Sequence, residues 1–232
     1  MPNPPDIHAA ASEMLESWPG FSPLKSLMDN FPDMPVYLAG GALRNLLLGK
    51  KSGLKDFDFF LDEAHFEDAV TMLGQYGSVI KGPFGAPRWF PGGADDVSCD
   101  LIAIERFYNG LWQCEDIVDV LNQFDFTANA VALDLRTGGF FDPVNGVRDI
   151  YRLTMRAVRF DYPDEPFMPG QTLSRLEVLW LRIAHYSARY RLSIEPITLR
   201  WLHKNQHYAE GASKFSEIFF PLETGALEII KV

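Results

Sequence analysis

The first informative pattern of apolar and polar positions lies in residues 36–61. A short apolar run (VYLA) leads into the pair Gly40-Gly41, and a helically spaced apolar segment, a polar loop and a second apolar run (DFDFFL) follow. Short apolar runs bounded by glycine and polar residues are typical of strands, and the glycine pair is typical of a turn. The predicted elements are a strand at Val36–Ala39, a helix at Ala42–Leu48 and a second strand that carries Asp56 and Asp58.

The rest of the chain divides into two zones. Helical periodicity predicts helices at residues 6–18, 22–30 and 63–76, and a long one from about residue 173 that breaks at Pro196 before a segment at 198–207. Residues 77–98 are rich in Gly and Pro, which indicates a hairpin-like excursion. The apolar residues 97–104 indicate a strand that carries Asp100, whereas the pattern of residues 126–135 fits either a helix or a strand. We therefore predict a mixed α/β head over residues 1–152 and a smaller helical region over residues 153–232.

Two acidic residues stand in the middle of the second predicted strand. Side chains two apart on a strand share a face, so Asp56 and Asp58 lie side by side in a mostly apolar run. Paired carboxylates repel each other unless a cation lies between them, and Mg²⁺ is a common partner of oxygen ligands. Asp100 adds a third carboxylate, and the N–H groups of Gly40 and Gly41 lie where a phosphate could bind a helix N-terminus. The pattern indicates a nucleotide and metal site.

Composition limits the other function classes. The chain has 232 residues, 47% of them hydrophobic, which is enough for a packed domain. Two cysteines, no leader-like start and no long apolar run favour a cytoplasmic protein without a membrane span. The net charge of −10 argues against a protein that coats nucleic acid nonspecifically. Residues 175–204 are locally basic, which fits either a solvated helix face or a phosphate-contacting surface.

Five elements occur in an order that resembles a known family. They are Gly40-Gly41-x-x-Arg44, Asp56-x-Asp58, Asp100 on a later strand, Asp125-Phe-Thr-x-Asn129-Ala, and Asp142-x-x-x-Gly146-x-x-Asp149. Together they resemble the head of the tRNA CCA-adding enzymes and bacterial poly(A) polymerases, within the nucleotidyltransferase superfamily with a polymerase-β-like head. The resemblance implies a mixed, mainly antiparallel sheet flanked by helices, followed by a small helical neck-like region.

The resemblance also implies an activity and roles for individual residues. Asp56, Asp58 and Asp100 would be the catalytic carboxylates, holding two Mg²⁺ ions for transfer of a nucleoside monophosphate from an NTP to an RNA 3′ end, with tRNA as one candidate, and for release of pyrophosphate. The implied nucleotide-binding residues are Gly40, Gly41, Arg44, Asp125, Asn129, Arg156 and Arg159. Asp142 and Gly146 match a loop that couples head movement to catalysis.

Most of these residues have a structural alternative. Arg44 could pair with a surface carboxylate, and Asp142 before proline commonly starts a turn. Asp125 and Asn129 could cap a helix or tie a loop. The histidines of the helical region fit helix surfaces or packing better than a metal or catalytic role; they are His185, His203 and His207.

The sequence departs from the family pattern where substrate would be chosen. Asn45 follows Arg44 where relatives have Asp, Gln123-Phe124 replaces Arg-Arg before Asp125, and residues 175–178 (RLEV) replace the base-reading Glu-Asp-x-x-Arg of the neck. The further helical domains with which the family grips tRNA have no counterpart here, so we expect full CCA addition to need a partner. Two alternatives stay open, namely a non-catalytic binding or regulatory module and transfer onto a protein side chain.

Overall fold

A mixed sheet forms the centre of the head. The computed structural model describes residues 4–50, 56–82, 84–92, 97–228 and 230, and the sheet has seven strands within them. In chain order they are β1 (Val36–Ala39), β2 (Asp56–Leu61), β3 (Ser78–Lys81), β4 (Pro87–Phe90), β5 (Ser98–Ala103), β6 (Ala132–Asp134) and β7 (Phe140–Phe141). Their spatial order is β3-β4-β5-β2-β1-β6-β7, and every neighbouring pair is antiparallel except β2 and β5. The predicted mixed, mainly antiparallel sheet is confirmed.

Helices flank this sheet and are the main regular elements of the chain after it. The α-helices formed by the described residues are α1 (Pro4–Glu16), α2 (Phe21–Asn30), α3 (Gly41–Leu47), α4 (Phe66–Gly74), α5 (Ile117–Leu121), α6 (Gly146–Tyr151), α7 (Arg175–Tyr190), α8 (Pro196–Lys204) and α9 (Ala212–Ile218). The described residues also form two 3₁₀ segments, Ile104–Arg106 and Gln206–Gly211. A small parallel ladder pairs β8 (Thr154–Met155) with β9 (Ser193–Ile194). None of the described helices has both the length and the apolar character needed to cross a bilayer.

Two predicted elements differ from the structure, each for a local reason. Residues 126–135 form neither one helix nor one strand, because backbone bonds from Asn129 to Phe126 and from Ala130 to Thr127 turn the chain before β6. Pro196 does not break a helix but opens one. It lies in the first turn of α8, where its missing N–H is tolerated, and α7 has already ended at Tyr190.

Strand β2 separates the core from the side of the sheet that carries the carboxylates. The buried rings of Phe57 and Phe59 pack against Trp18, which follows α1, and the Trp18 ring centroid is 4.8 Å from that of Phe57. Because side chains alternate along a strand, Asp56 and Asp58 project from the opposite face. The main core continues from these strands into α7, where Trp180 is buried. The division of the chain at residue 152 stays a prediction.

Arg136 fixes the connection between α2 and β1. Its Nε donates to the carbonyl of Met34 at 2.6 Å, and its Nη2 donates to the carbonyls of Met28, at 2.8 Å, and Phe31. Met28 belongs to the last turn of α2 and Phe31 follows that turn, so the guanidinium satisfies carbonyls at the negative end of the helix.

Arg136→Ala should lower the free energy of unfolding by about 2 kcal/mol, because half-buried carbonyls lose charged donors. Urea denaturation monitored by circular dichroism measures the change. Arg148→Ala is the matched control, since that side chain is half exposed, and we expect a change of about 0.5 kcal/mol or less. Equal losses in both variants would contradict the role given to Arg136.

Candidate active site

The parallel pairing of β2 with β5 brings the predicted carboxylates together. In its register Asp58 lies opposite Asp100, and Asp56 lies opposite Ser98. Register partners in a sheet project from the same face, so the three carboxylates share one side of two adjacent strands. The sequence prediction that Asp100 joins the Asp56/Asp58 pair is therefore supported by the backbone register.

Gly40 lies directly against this cluster. Its φ of +75° is strained for any other residue, and a Cβ at this position would lie 2.8 Å from Oδ2 of Asp58. Its N–H donates to the carbonyl of Val131 at 3.2 Å, which corrects the expectation that this N–H is open to a phosphate. Gly41 is the first residue of α3, and its role in binding a nucleotide stays a prediction.

Arg88 of β4 is the functional residue that sequence reasoning missed. Its Nε and Nη2 donate to the two oxygens of Asp100, both at 2.7 Å, and Nη2 lies 3.7 Å from Oδ2 of Asp56. The antiparallel register of β4 and β5 places Arg88 opposite Asp100. An arginine in a Gly- and Pro-rich stretch carries no sequence signal for such a partner, since the register decides it.

The charge balance of the cluster remains negative. Burial, followed by the nearby charges of Asp56 and Asp100, raises the pKa of Asp58 to about 8. Burial and Asp100 also raise the pKa of Asp56 above its usual range. One guanidinium therefore does not offset three carboxylates, and the donor set suits a divalent cation. Among the described residues, however, no three acidic, His or Cys side chains are at present arranged around a common metal position.

A second cluster joins the head to helix α7. Arg44 is buried, and its guanidinium donates to the Asn129 side chain, to Tyr190 Oη at 2.9 Å and to the Asn45 amide oxygen at 3.2 Å. It also lies over the rings of Tyr186 and Tyr190, 4.8 and 4.6 Å from their centroids. The alternative of a surface carboxylate for Arg44 was therefore wrong. Its surroundings are aromatic and amide groups of the cleft.

Asp125 ties the same cluster to Arg182. Nε of Arg182 donates to Oδ2 of Asp125 at 2.6 Å, while Oδ1 accepts from the Phe126 N–H and from Asn129 Nδ2. The charge of Asp125 opposes the effect of burial on Arg182 and keeps its pKa above the usual range. These bonds tie the loop that contains Asp125 and Asn129, which is the structural alternative that the sequence offered for both residues. Both residues also line the cleft.

The predicted residues Arg156 and Arg159 do not line the cleft. Arg156 donates to Asp149 Oδ2 at 2.7 Å and to the Val144 carbonyl, and Arg159 forms two 2.6 Å bonds with Asp161. Their local acidic and carbonyl partners hold both guanidinium groups away from the carboxylate cluster. Within the described residues, neither arginine meets the other predicted nucleotide-binding groups.

The remaining structural alternatives agree with the structure. The Asp142 carboxylate accepts the N–H groups of Gly146 and Val147 at the start of α6, and a Cβ on Gly146 would lie 2.0 Å from the Thr127 carbonyl oxygen. His185 is buried, and its Nδ1 accepts the N–H of Glu223. His203 and His207 are exposed, as the packing and surface interpretation expected.

The departure at residues 175–178 has a structural explanation. Ser174 and Glu177 form a capping box at the start of α7, in which the Ser174 N–H donates to Oε2 of Glu177 at 2.7 Å. Nη1 of Arg175 contacts the Pro166 carbonyl and lies 3.7 Å from Oε2 of Glu165. The polar groups at these positions thus serve the helix start.

The carboxylate cluster and the Arg44/Arg182 cluster face one cleft of about 700 Å³. Carboxylates lie on the sheet side and the tyrosines of α7 lie on the helix side. Phe84, in the turn between β3 and β4, reaches across to Phe219, with ring centroids 5.1 Å apart, and to Phe167. The cleft therefore combines an acidic wall with an aromatic one. That combination can hold a metal-bound phosphate beside a planar base.

Fold and site together define a class. A mixed sheet with two carboxylates on one strand, a third on its parallel neighbour and a glycine turn before a short helix is the arrangement of the nucleotidyltransferase fold. No family model matches the sequence. The "Multifunctional CCA protein" of Xanthomonas oryzae pv. oryzae is 30% identical over 164 residues, which cover 67% of this chain and 38% of that protein.

Solved structures give the same relationship. The structure of a CCA-adding enzyme with CTP has a TM-score of 0.57 and 26% identity, and covers 81% of this chain and 42% of that one. The Thermotoga maritima CCA-adding enzyme in complex with tRNA has a TM-score of 0.61 and 23% identity. The match covers 87% of this chain and 47% of that one. The chain is a divergent relative of the CCA-adding enzymes and spans less than half of their length.

Asp58→Asn should stabilise the metal-free protein at pH 8.5, by about 1–2 kcal/mol. The pKa of Asp58 is raised on folding, so between about pH 4 and pH 8 the folded state holds a proton that the unfolded state has lost. The Asp58 contribution to wild-type stability therefore falls as pH rises through this window, and the asparagine removes that loss.

The measurement is urea denaturation of wild type and variant in EDTA at pH 4.5 and pH 8.5. The gain should be small at pH 4.5 and largest at pH 8.5. Asp68→Asn, which alters an exposed carboxylate of α4, is the control and should show no such gain. A gain that is independent of pH would rule out ionisation of the Asp58 carboxyl as its source.

Proposed function

We propose that this protein is a Mg²⁺-dependent nucleotidyltransferase that moves a nucleoside monophosphate from an NTP to the 3′ end of an RNA, with a tRNA as the first candidate, and releases pyrophosphate. The observation that carries the proposal is the register of β2 and β5, which sets Asp58 beside Asp100 next to the glycine turn. The relatives named for CCA addition support the same chemistry.

Asp56, Asp58 and Asp100 are the residues that would hold the metal. The raised pKa values of Asp56 and Asp58 express an unmet demand for positive charge at this site. Bound Mg²⁺ would lower the pKa of the attacking hydroxyl and offset the charge of the leaving pyrophosphate. Arg88 would compete with the metal for Asp100, because its guanidinium donates to both Asp100 oxygens.

The aromatic wall and its arginines would position the nucleotide. Arg44 is fixed by Asn129 and Tyr190, and Arg182 is fixed by Asp125, so both cations are held in place before a substrate arrives. Fixed donors lose little freedom when they bind a phosphate or a sugar. Tyr186 and Tyr190 are parallel rings with centroids 5.9 Å apart, and offer a flat apolar surface to a base.

A second candidate is a nucleotide-binding module without catalysis. The specific observation in its favour is the pair of 2.7 Å bonds from Arg88 to Asp100, which occupies the third carboxylate. Transfer onto a protein side chain would use the same site, so the acceptor has to be found by experiment.

The experiment is incubation of the protein with Mg²⁺ and each α-³²P-labelled NTP, with total RNA and a cell lysate as alternative acceptors. We expect a labelled RNA band with at least one NTP. Asp58→Asn should lower its yield more than about a hundredfold, because even outer-shell partners of a metal cost 10–100-fold. Asp68→Asn is the matched control and should retain the wild-type yield.

The outcomes separate the candidates. A labelled protein without labelled RNA would assign the acceptor to a side chain. Calorimetric binding of NTP with no labelled product would favour the non-catalytic module. A product that persists in Asp58→Asn would contradict the proposed site.

A further inference from the structure

Arg88 places a permanent positive charge inside the carboxylate cluster. A guanidinium keeps its proton at every pH a protein tolerates. Its fork matches both oxygens of Asp100, and its Nη2 also approaches Asp56. Charge-assisted, two-point pairs of this kind are the stronger hydrogen bonds in proteins.

The position of Arg88 conflicts with that of a metal ion. Mg²⁺ needs carboxylate oxygens at about 2.1 Å in a near-octahedral arrangement, and both oxygens of Asp100 already accept N–H groups. Two cations on the same carboxylate would also repel each other at short range. Arg88 and a metal ion would therefore compete for the oxygens of Asp100.

We propose that Arg88 is a built-in counter-cation that closes the carboxylate site in the resting protein and must leave Asp100 before the metal binds there. This inference rests on the proposed metal-dependent function. The side chain of Arg88 keeps 23% of its surface exposed, and the neighbouring Asp56 keeps 49%, so the guanidinium can turn toward solvent without breaking the core.

The arrangement also explains how the metal-free protein tolerates three neighbouring carboxylates. Arg88 offsets part of their repulsion, as its raised pKa in the company of Asp100 and Asp56 reflects. Its removal should therefore destabilise the metal-free state and increase the stabilisation that a metal provides.

The test is isothermal titration of Mg²⁺ into wild type, Arg88→Gln and Arg106→Gln in the absence of nucleotide. We expect Arg88→Gln to bind about tenfold more tightly than wild type, which corresponds to about 1.4 kcal/mol. Arg106→Gln removes the same charge from an arginine that also lies between two acids, Glu63 and Glu67. It should bind like wild type. Equal or weaker binding by Arg88→Gln would overturn the proposal.

Two further measurements keep the proposal testable if Arg88→Gln does not fold. Arg88→Lys keeps the charge but loses the two-point fork, so its Mg²⁺ affinity should lie between those of wild type and Arg88→Gln. In ¹⁵N-labelled wild type, the Nε–H resonance of Arg88, assigned through its loss in Arg88→Lys, should shift as Mg²⁺ is added. A metal-saturated protein in which this resonance does not move would also overturn the proposal.

The proposed function can fail separately from this inference. Tighter Mg²⁺ binding by Arg88→Gln with no labelled product from any acceptor would support the counter-cation and refute the transferase. A labelled product from a wild type whose metal affinity does not depend on Arg88 would support the transferase and refute the counter-cation.

Discussion

Repulsion among three carboxylates on one face of two adjacent strands is the constraint around which the site is arranged. The parallel pairing of β2 with β5, within a sheet whose other pairs are antiparallel, brings Asp58 beside Asp100. The opposite face of β2 buries Phe57 and Phe59 against Trp18, so this strand cannot slip without exposing its core side. The core therefore holds the acidic residues where they repel, and the cost is offset by a cation.

Three arginines lie near these carboxylates, and they are held in two different ways. Arg88 is part of the sheet and reaches the cluster through strand register, whereas Arg44 and Arg182 are held on the aromatic side by Asn129 and Asp125. Arg88 offsets part of the charge of the acidic wall, and the other two arginines line the cleft where a nucleotide would lie. The cleft thus has separate places for a metal and for a base, although both open into one volume of about 700 Å³.

The positions that depart from the family pattern have acquired structural partners. Asn45 accepts hydrogen bonds from Arg44 and Tyr190, and Gln123 bonds to the Trp112 carbonyl and Cys114. Glu177 completes the capping box of α7. Of these side chains, Asn45 connects the head to Tyr190 of α7, Gln123 ties a loop of the head, and Glu177 stabilises the start of α7.

The sequence by itself determined the local elements and the residue types of the site. Alternation over Asp56–Leu61 predicts a strand with acidic and aromatic faces, Gly40-Gly41 predicts the turn, and the spacing of Asp56 and Asp58 predicts a carboxylate pair. These signals are local because periodicity and turn chemistry depend on neighbouring residues. Only the tertiary structure decided that Arg88 lies on Asp100, that Arg44 is buried against Tyr190, and that Arg156 and Arg159 lie away from the cleft. Strand register and helix docking create those contacts between residues distant in sequence, and no local pattern encodes them.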